Sequence, residues 1–225
     1  ECFSKRNIMD KVRKTKEMDM LNGDLAGKLI LFAIPLAFSS ILQQLFNSAD
    51  VAVVGRFAGD RALAAVGSCV ALVGIFVNLI VGFSVGPNAV LANLIGQKRR
   101  DKINRMLHTI MAFGLIAGVI LMGLGMLSAK PILEVSGTPE SVMNEALLYI
   151  RIYFIGIPFM MIYNFGSAVL RSFGDTRRPM YYLILSGTVN VILNLILVIY
   201  FKLGVAGVAI ATVISNILSA GLVLI

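Results

Sequence analysis

The segments LIAGVILMGLGM (115–126) and VILNLILVIY (191–200) are apolar on almost every side. They show neither the alternation of a half-buried strand nor the one-sided stripe of a helix at a soluble surface. A bilayer core roughly 30 Å thick takes about 20 residues of helix. Six apolar stretches of at least that length follow one another, at 29–54, 62–95, 106–127, 141–169, 180–200 and 204–225. A closed membrane barrel would need apolar and polar residues in alternation, so the expected fold class is all-α, a polytopic membrane protein with six transmembrane helices. Composition agrees: 58% of residues are hydrophobic and 14% charged, against about 25% charged in soluble domains.

Gly and Pro mark the expected turns, at GRFAGD (55–60), SAKP (128–131), SGTPE (136–140), RSFGDTRRP (171–179) and KLG (202–204). Connections this short make consecutive helices antiparallel neighbours. Pro35, Pro87 and Pro158 fall inside spans instead, where each removes an N–H and is expected to bend its helix.

The net charge of +8 does not indicate nucleic acid, because the basic residues sit in the tail and turns beside apolar spans. Seven Lys and Arg precede the first span through Lys28, five lie in the turn between spans 2 and 3, and three between spans 4 and 5; the other turns hold two, one and one. The positive-inside rule then places the amino terminus in the cytoplasm of a cell whose plasma or inner membrane holds the protein. Residues 1–24 read as a basic cytoplasmic tail and 25–225 as one six-helix lobe. Arg151 remains as a base about three turns into the fourth span.

Cys2 and Cys69 imply no disulfide framework. Residues 1–17 are polar and the first apolar run is too long for a cleaved signal. Beginning on Glu1 and stopping at Ile225 inside an apolar run, the chain reads as a piece of a longer protein.

GLIAG (114–118) and GFSVG (82–86) are small-xxx-small patterns, expected to let helices approach closely. GFSVG also fits the nucleophile-elbow pattern, but Ser84 lies within a membrane helix, not on a strand-to-helix turn, and His108 begins the third span. An intramembrane enzyme would need a second acid, a histidine pair or a serine dyad inside the spans. None is present, so an enzyme is not expected.

The first span carries Ser39, Gln43, Asn47 and Asp50 at i, i+4, i+8 and i+11, one stripe of a helix. A carboxylate in hydrocarbon costs several kcal/mol unless paired, neutralised or hydrated, so this stripe is expected to face the bundle interior. Ser186, Asn190 and Asn194 form a polar seam on the fifth span; Thr212, Asn216 and Ser219 form one on the sixth. Counted from the span ends, Asp50, Asn190, Asn194 and Thr212 can share one layer. The plain reading of such amides and hydroxyls is interhelical hydrogen bonding worth about 0.6 kcal/mol each. Asp50 fits that reading less well. One carboxylate among amide and hydroxyl oxygens suits a hard monovalent cation such as Na⁺, and it suits a proton equally, since burial penalises the charged form.

The segments IPLAFSSILQQLFNSADVAVVGRFAGDRALAAVG (34–67), ANLIGQ (92–97), LRSFGDTRRPM (170–180) and NVILNLILVIYFKLGVAGVAIATVIS (190–215) resemble the amino-terminal half of a multidrug and toxic compound extrusion (MATE) transporter, of the DNA-damage-inducible branch. The resemblance implies one lobe of a twelve-helix protein, acting as a monomer without a cofactor and exporting amphipathic organic cations in exchange for Na⁺ or H⁺. The carboxy-terminal lobe would lie outside this chain. It implies an ion site at Asp50, Asn190, Asn194 and Thr212, and helix bending at Pro35 coupled to protonation. Tyr149, Asn164 and Ser167 fall on cavity-wall positions, and Gln43 and Asn47 are expected along the same substrate path. Where well-known members carry a second aspartate this chain has Asn194, which leaves Na⁺ and H⁺ both open.

Two other readings compete. A lipid-linked oligosaccharide flippase of the same superfamily would share the helix count but should line its cavity with cations, for which Arg151 is the sole candidate. A structural membrane protein would use every polar seam for packing alone.

Overall fold

The structure is a computed structural model that describes residues 25–97 and 100–225. The basic tail at 1–24, with Lys98 and Arg99 of the second connection, lies outside the described residues. Among the described residues seven α-helices follow in order: α1 (Leu25–Phe57), α2 (Asp60–Gly96), α3 (Arg100–Val135), α4 (Glu140–Ile155), α5 (Ile157–Ser172), α6 (Arg177–Leu195) and α7 (Gly204–Leu224). A π-helical turn, Ile196–Tyr200, extends α6. No strand occurs among the described residues. Five helices are each long and apolar enough to cross a membrane, and α4 with α5, bent by 44° at their junction, makes a sixth span. The fold is therefore all-α with six membrane spans, as the apolar runs require.

The bent span packs against α2, α3 and α7, and α1 rests chiefly on α6. The core lies where α2, α3, α4 and α5 meet, around Ile80, Leu91, Leu133, Ile150, Phe154 and Phe165. In a bilayer, helices gain little from excluding water from one another, so small residues that admit close packing matter most. Gly114 and Gly118 behave this way. A Cβ at Gly114 would stand 3.2 Å from the Phe165 ring, and one at Gly118 would stand 2.7 Å from the Pro158 backbone. Gly125 likewise faces the ring of Phe154, whose centroid lies 4.9 Å from that of Phe76.

GFSVG departs from expectation. A Cβ at Gly82 or Gly86 would meet no other element within 4 Å among the described residues. Ser84 is buried and donates to its own helix at Val81 O, 2.7 Å away. Small size permits close approach but does not choose which face of a helix is covered.

Proline also divides. The helix runs unbroken through Pro35 in α1 and Pro87 in α2, whereas Gly156 and Pro158 coincide with the break between α4 and α5. Pro158 has no N–H for Phe154 O, while Gly156 itself keeps right-handed angles, φ −75° and ψ −17°. SAKP is not a turn: α3 continues through Pro131 to Val135, with Lys130 and Glu134 paired at 3.7 Å along it. The carbonyl freed by Pro131 belongs to Leu127, an exposed residue whose surroundings do not force the helix to stop.

The turn into α6 shows why RSFGDTRRP works as punctuation. Gly174 takes φ 82°, the left-handed conformation that commonly ends a helix, and Asp175 N donates to Leu170 O at 3.0 Å. Asp175 Oδ1 then accepts from the N–H groups of Arg177 and Arg178, each at 3.1 Å, starting α6. Its other oxygen meets Arg178 Nε at 3.0 Å.

Candidate functional site

Helix α1 passes its carboxylate to α6 in the half of the bundle nearer the α1–α2 turn. Asn194 Nδ2 donates to Asp50 Oδ1 at 2.5 Å and to Asn190 Oδ1 at 3.2 Å. Asn190 Nδ2 stands 3.5 Å from Thr212 Oγ1 on α7, a long contact, and Thr212 in turn donates to Val208 O at 2.9 Å. Asn194 is 0% exposed and Asn190 5%, while Asp50 and Thr212 are half-buried. Four polar side chains from three helices thus form one connected cluster.

The cluster is rich in oxygen and lacks nitrogen or sulfur ligands for a soft metal. Asp50 Oδ1 and Asn190 Oδ1 both face the single donor Asn194 Nδ2. The carbonyl oxygen of Asn194 is buried without a hydrogen-bond partner among the described residues. A buried acceptor left unpaired costs roughly 1–3 kcal/mol, and half a turn of the amide would exchange it with the Nδ2 group. Among the described residues no three His, Cys, Asp or Glu side chains gather as a metal group would require. The donor set therefore fits a hard, singly charged cation or a proton better than a transition metal.

Tyr149 stands on the adjoining wall. It is 7% exposed and stacks on Tyr153 with ring centroids 6.2 Å apart, on a helix that packs against α7, the bearer of Thr212. Tyr153 escaped the sequence reading, although its spacing of four from Tyr149 puts both on one face of α4.

The remaining sequence candidates do not join the cluster. Asn47 donates to Gln44 Oε1 at 3.2 Å on the exposed side of α1, and Gln43 is half-buried one turn away. Ser39 donates to Pro35 O at 2.7 Å, close beside the buried proline ring. Asn164 donates to Met160 O at 2.8 Å within α5, and Ser167 is buried at 1% exposure in the same helix. On α7 the seam divides. Asn216 Nδ2 lies 3.3 Å from where a Cβ would stand on Gly156, at the bend of the fourth span, and Ser219 donates to Ser215 O. Hydroxyls and short amides satisfied by their own helix look, in sequence, the same as those that reach across.

A bundle of six membrane spans holding a polar cluster between its first, fifth and sixth spans is one lobe of a polytopic membrane protein. Its family is set by comparison: residues 35–196 match the MatE family model, and the chain belongs to that family. It is 34% identical over 191 residues to a probable multidrug resistance protein, YoeA, of Bacillus subtilis, covering 83% of this chain and 41% of that protein. To the probable multidrug resistance protein NorM of Thermotoga maritima it is 28% identical, covering 88% of this chain and 44% of the relative. A solved MATE structure in a bent conformation superposes with a TM-score of 0.86 at 26% identity, over 93% of this chain and 46% of that one. An outward-facing multidrug resistance MATE transporter gives 0.85 at the same identity and the same coverage. The chain spans about half the length of the relatives it matches, as one lobe of a two-lobe transporter would.

Proposed function

We propose that the intact protein exports amphipathic organic cations across the cell membrane in exchange for Na⁺ or H⁺, and that the exchange takes place at Asp50. The multidrug names of its relatives support the substrate class. One observation carries the coupling: Asp50 of α1 is held by Asn194 of α6, which also grips Asn190, itself facing Thr212 of α7. Loading or unloading one positive charge at the carboxylate changes what Asn194 can donate to, and so changes how α1 sits on α6.

When Na⁺ is the coupling ion, Asp50, Asn190, Asn194 and Thr212 would hold it through their oxygens. When a proton is, Asp50 would carry it. Either cargo leaves the buried site neutral, which lowers the cost of a carboxylate away from water. Coupling sites of secondary transporters lie near the bilayer midplane, in keeping with a cluster built from span interiors. We place the amino terminus in the cytoplasm on the distribution of Lys and Arg. The membership in the DNA-damage-inducible branch and the monomeric state are proposed on the motif resemblance alone.

The flippase reading asks for cations lining the interior, and Arg151 is exposed, two residues from the buried Tyr149 and Tyr153 that face inward. The test is drug export by the intact transporter in inverted membrane vesicles under a Na⁺ or a pH gradient. Export driven by one gradient and lost in Asp50→Asn supports the reading; export independent of both gradients overturns it.

A further inference from the structure

Arg151 is the one base the sequence places inside the fourth apolar run, and the register of α3 against α4 fixes its depth. Gly125 of α3 faces the ring of Phe154. The two helices are antiparallel, so three residues on from Gly125 and three back from Phe154 bring Ser128 level with Arg151. The apolar run of α3 ends at Leu127, and one residue beyond Ser128 and Ala129 comes the exposed Lys130–Glu134 ion pair. Arg151 therefore stands at the hydrocarbon boundary, on the side of the Glu140 end. The polar residues Ser141, Asn144 and Glu145 project beyond it.

Its direction follows from the helix. Successive residues turn by about 100°, so Arg151 lies about 160° around from both Tyr149 and Tyr153, on the side away from the core. Leu148 and Ile155, one turn to either side, share that face at 48% and 45% exposure. The Cα–Cβ bond leans toward the helix amino terminus, which carries the guanidinium toward the boundary instead of the midplane. Among the described residues Arg151 makes no ion pair; the nearest acids on its own helix, Glu140 and Glu145, do not reach it, and Glu134 is held by Lys130.

We propose that Arg151 binds the phosphodiester of a membrane phospholipid in the leaflet on the Glu140 side, with Ile155, one turn toward the midplane, against its acyl chains. A guanidinium matches phosphate by two parallel hydrogen bonds and is less strongly hydrated than an ammonium. The exposed apolar Ile155 on the midplane side of the charge distinguishes a lipid from a soluble anion. An anionic headgroup adds attraction of the order that one basic residue gains near a charged membrane surface.

Native mass spectrometry of the intact, delipidated transporter titrated with dioleoyl phosphatidylglycerol tests this. The wild type is expected to bind at least one lipid about fivefold more tightly than Arg151→Gln, with Arg151→Lys between them, and glycerol 3-phosphate at equal concentration should not displace the lipid. Equal lipid affinity in wild type and Arg151→Gln overturns the proposal. Displacement by glycerol 3-phosphate overturns the choice of a lipid. A loss of thermal stability in Arg151→Gln of the same size with and without lipid would mean a protein carboxylate is the partner, and overturns it too. Should Arg151→Gln fail to fold, the pair Arg151→Lys and Ile155→Ser decides: both must weaken phosphatidylglycerol binding. Because the readout is lipid binding, its failure leaves the exchange site at Asp50 untouched.

Discussion

Asn194 and Asp50, separated by 144 positions in the chain, are joined side chain to side chain between α6 and α1. The donor is the most deeply buried polar residue of the cluster, and it serves two acceptors with one nitrogen. The proposed exchange rests on that pairing.

Asp50→Asn keeps the size of the side chain and one oxygen to accept from Asn194, but removes the ionisable group. Cation-driven export by the intact transporter is expected to fall by at least about tenfold, while expression and thermal unfolding remain close to wild type, because a neutral amide is cheaper to bury than a carboxylate. Retained export at the wild-type rate removes Asp50 from the mechanism.

Asn194→Asp adds a second carboxylate beside the first and deletes the donor that now satisfies it. Two like charges so close disfavour joint ionisation unless a cation lies between them. Na⁺ should therefore raise the unfolding temperature of the variant by more than that of wild type, as a ligand that binds only the folded state does. An unchanged Na⁺ response counts against the site.

Thr212→Val retains shape and removes the hydroxyl at the α7 end of the chain of contacts. The 3.5 Å separation from Asn190 is long, so the effect should be modest, a few-fold loss in apparent Na⁺ affinity and less than about 1 kcal/mol of stability. A loss as large as that of Asp50→Asn would make Thr212 central, not peripheral.

Packing at the bend is open to a paired comparison within one helix. Gly118→Ala puts a methyl 2.7 Å from the backbone of Pro158, which cannot swing aside, and is expected to cost about 1–3 kcal/mol. Gly123→Ala meets nothing within 4 Å and should be neutral or slightly stabilising. Thermal unfolding of both in detergent checks the contrast, and equal effects would refute the close approach of α3 to the fourth span.

The spans were legible because their apolar runs are long and the turns between most of them carry Gly, Pro and charge. Irregularities within spans were not. Pro35, Pro87, Pro131 and Pro158 look alike in sequence, and only the last, beside Gly156, coincides with a break. The π turn at Ile196–Tyr200 has no composition of its own, since ILVIY serves an α-helix equally well; it shows only in bonds such as Phe201 N to Ile196 O at 3.2 Å. Among the described residues, Asp50 of the polar stripe on α1 bonds to another helix, whereas Ser39 and Asn47 bond within their own. Periodicity reports a face, but not which members of that face find partners across a gap.

Resting chiefly on α6, helix α1 is supported along one flank like a plank leaned on a wall. Among the described residues, the side-chain fastening between plank and wall sits seven residues from its far tip, at Asp50. Whatever toggles that fastening gains the leverage of the whole remaining length.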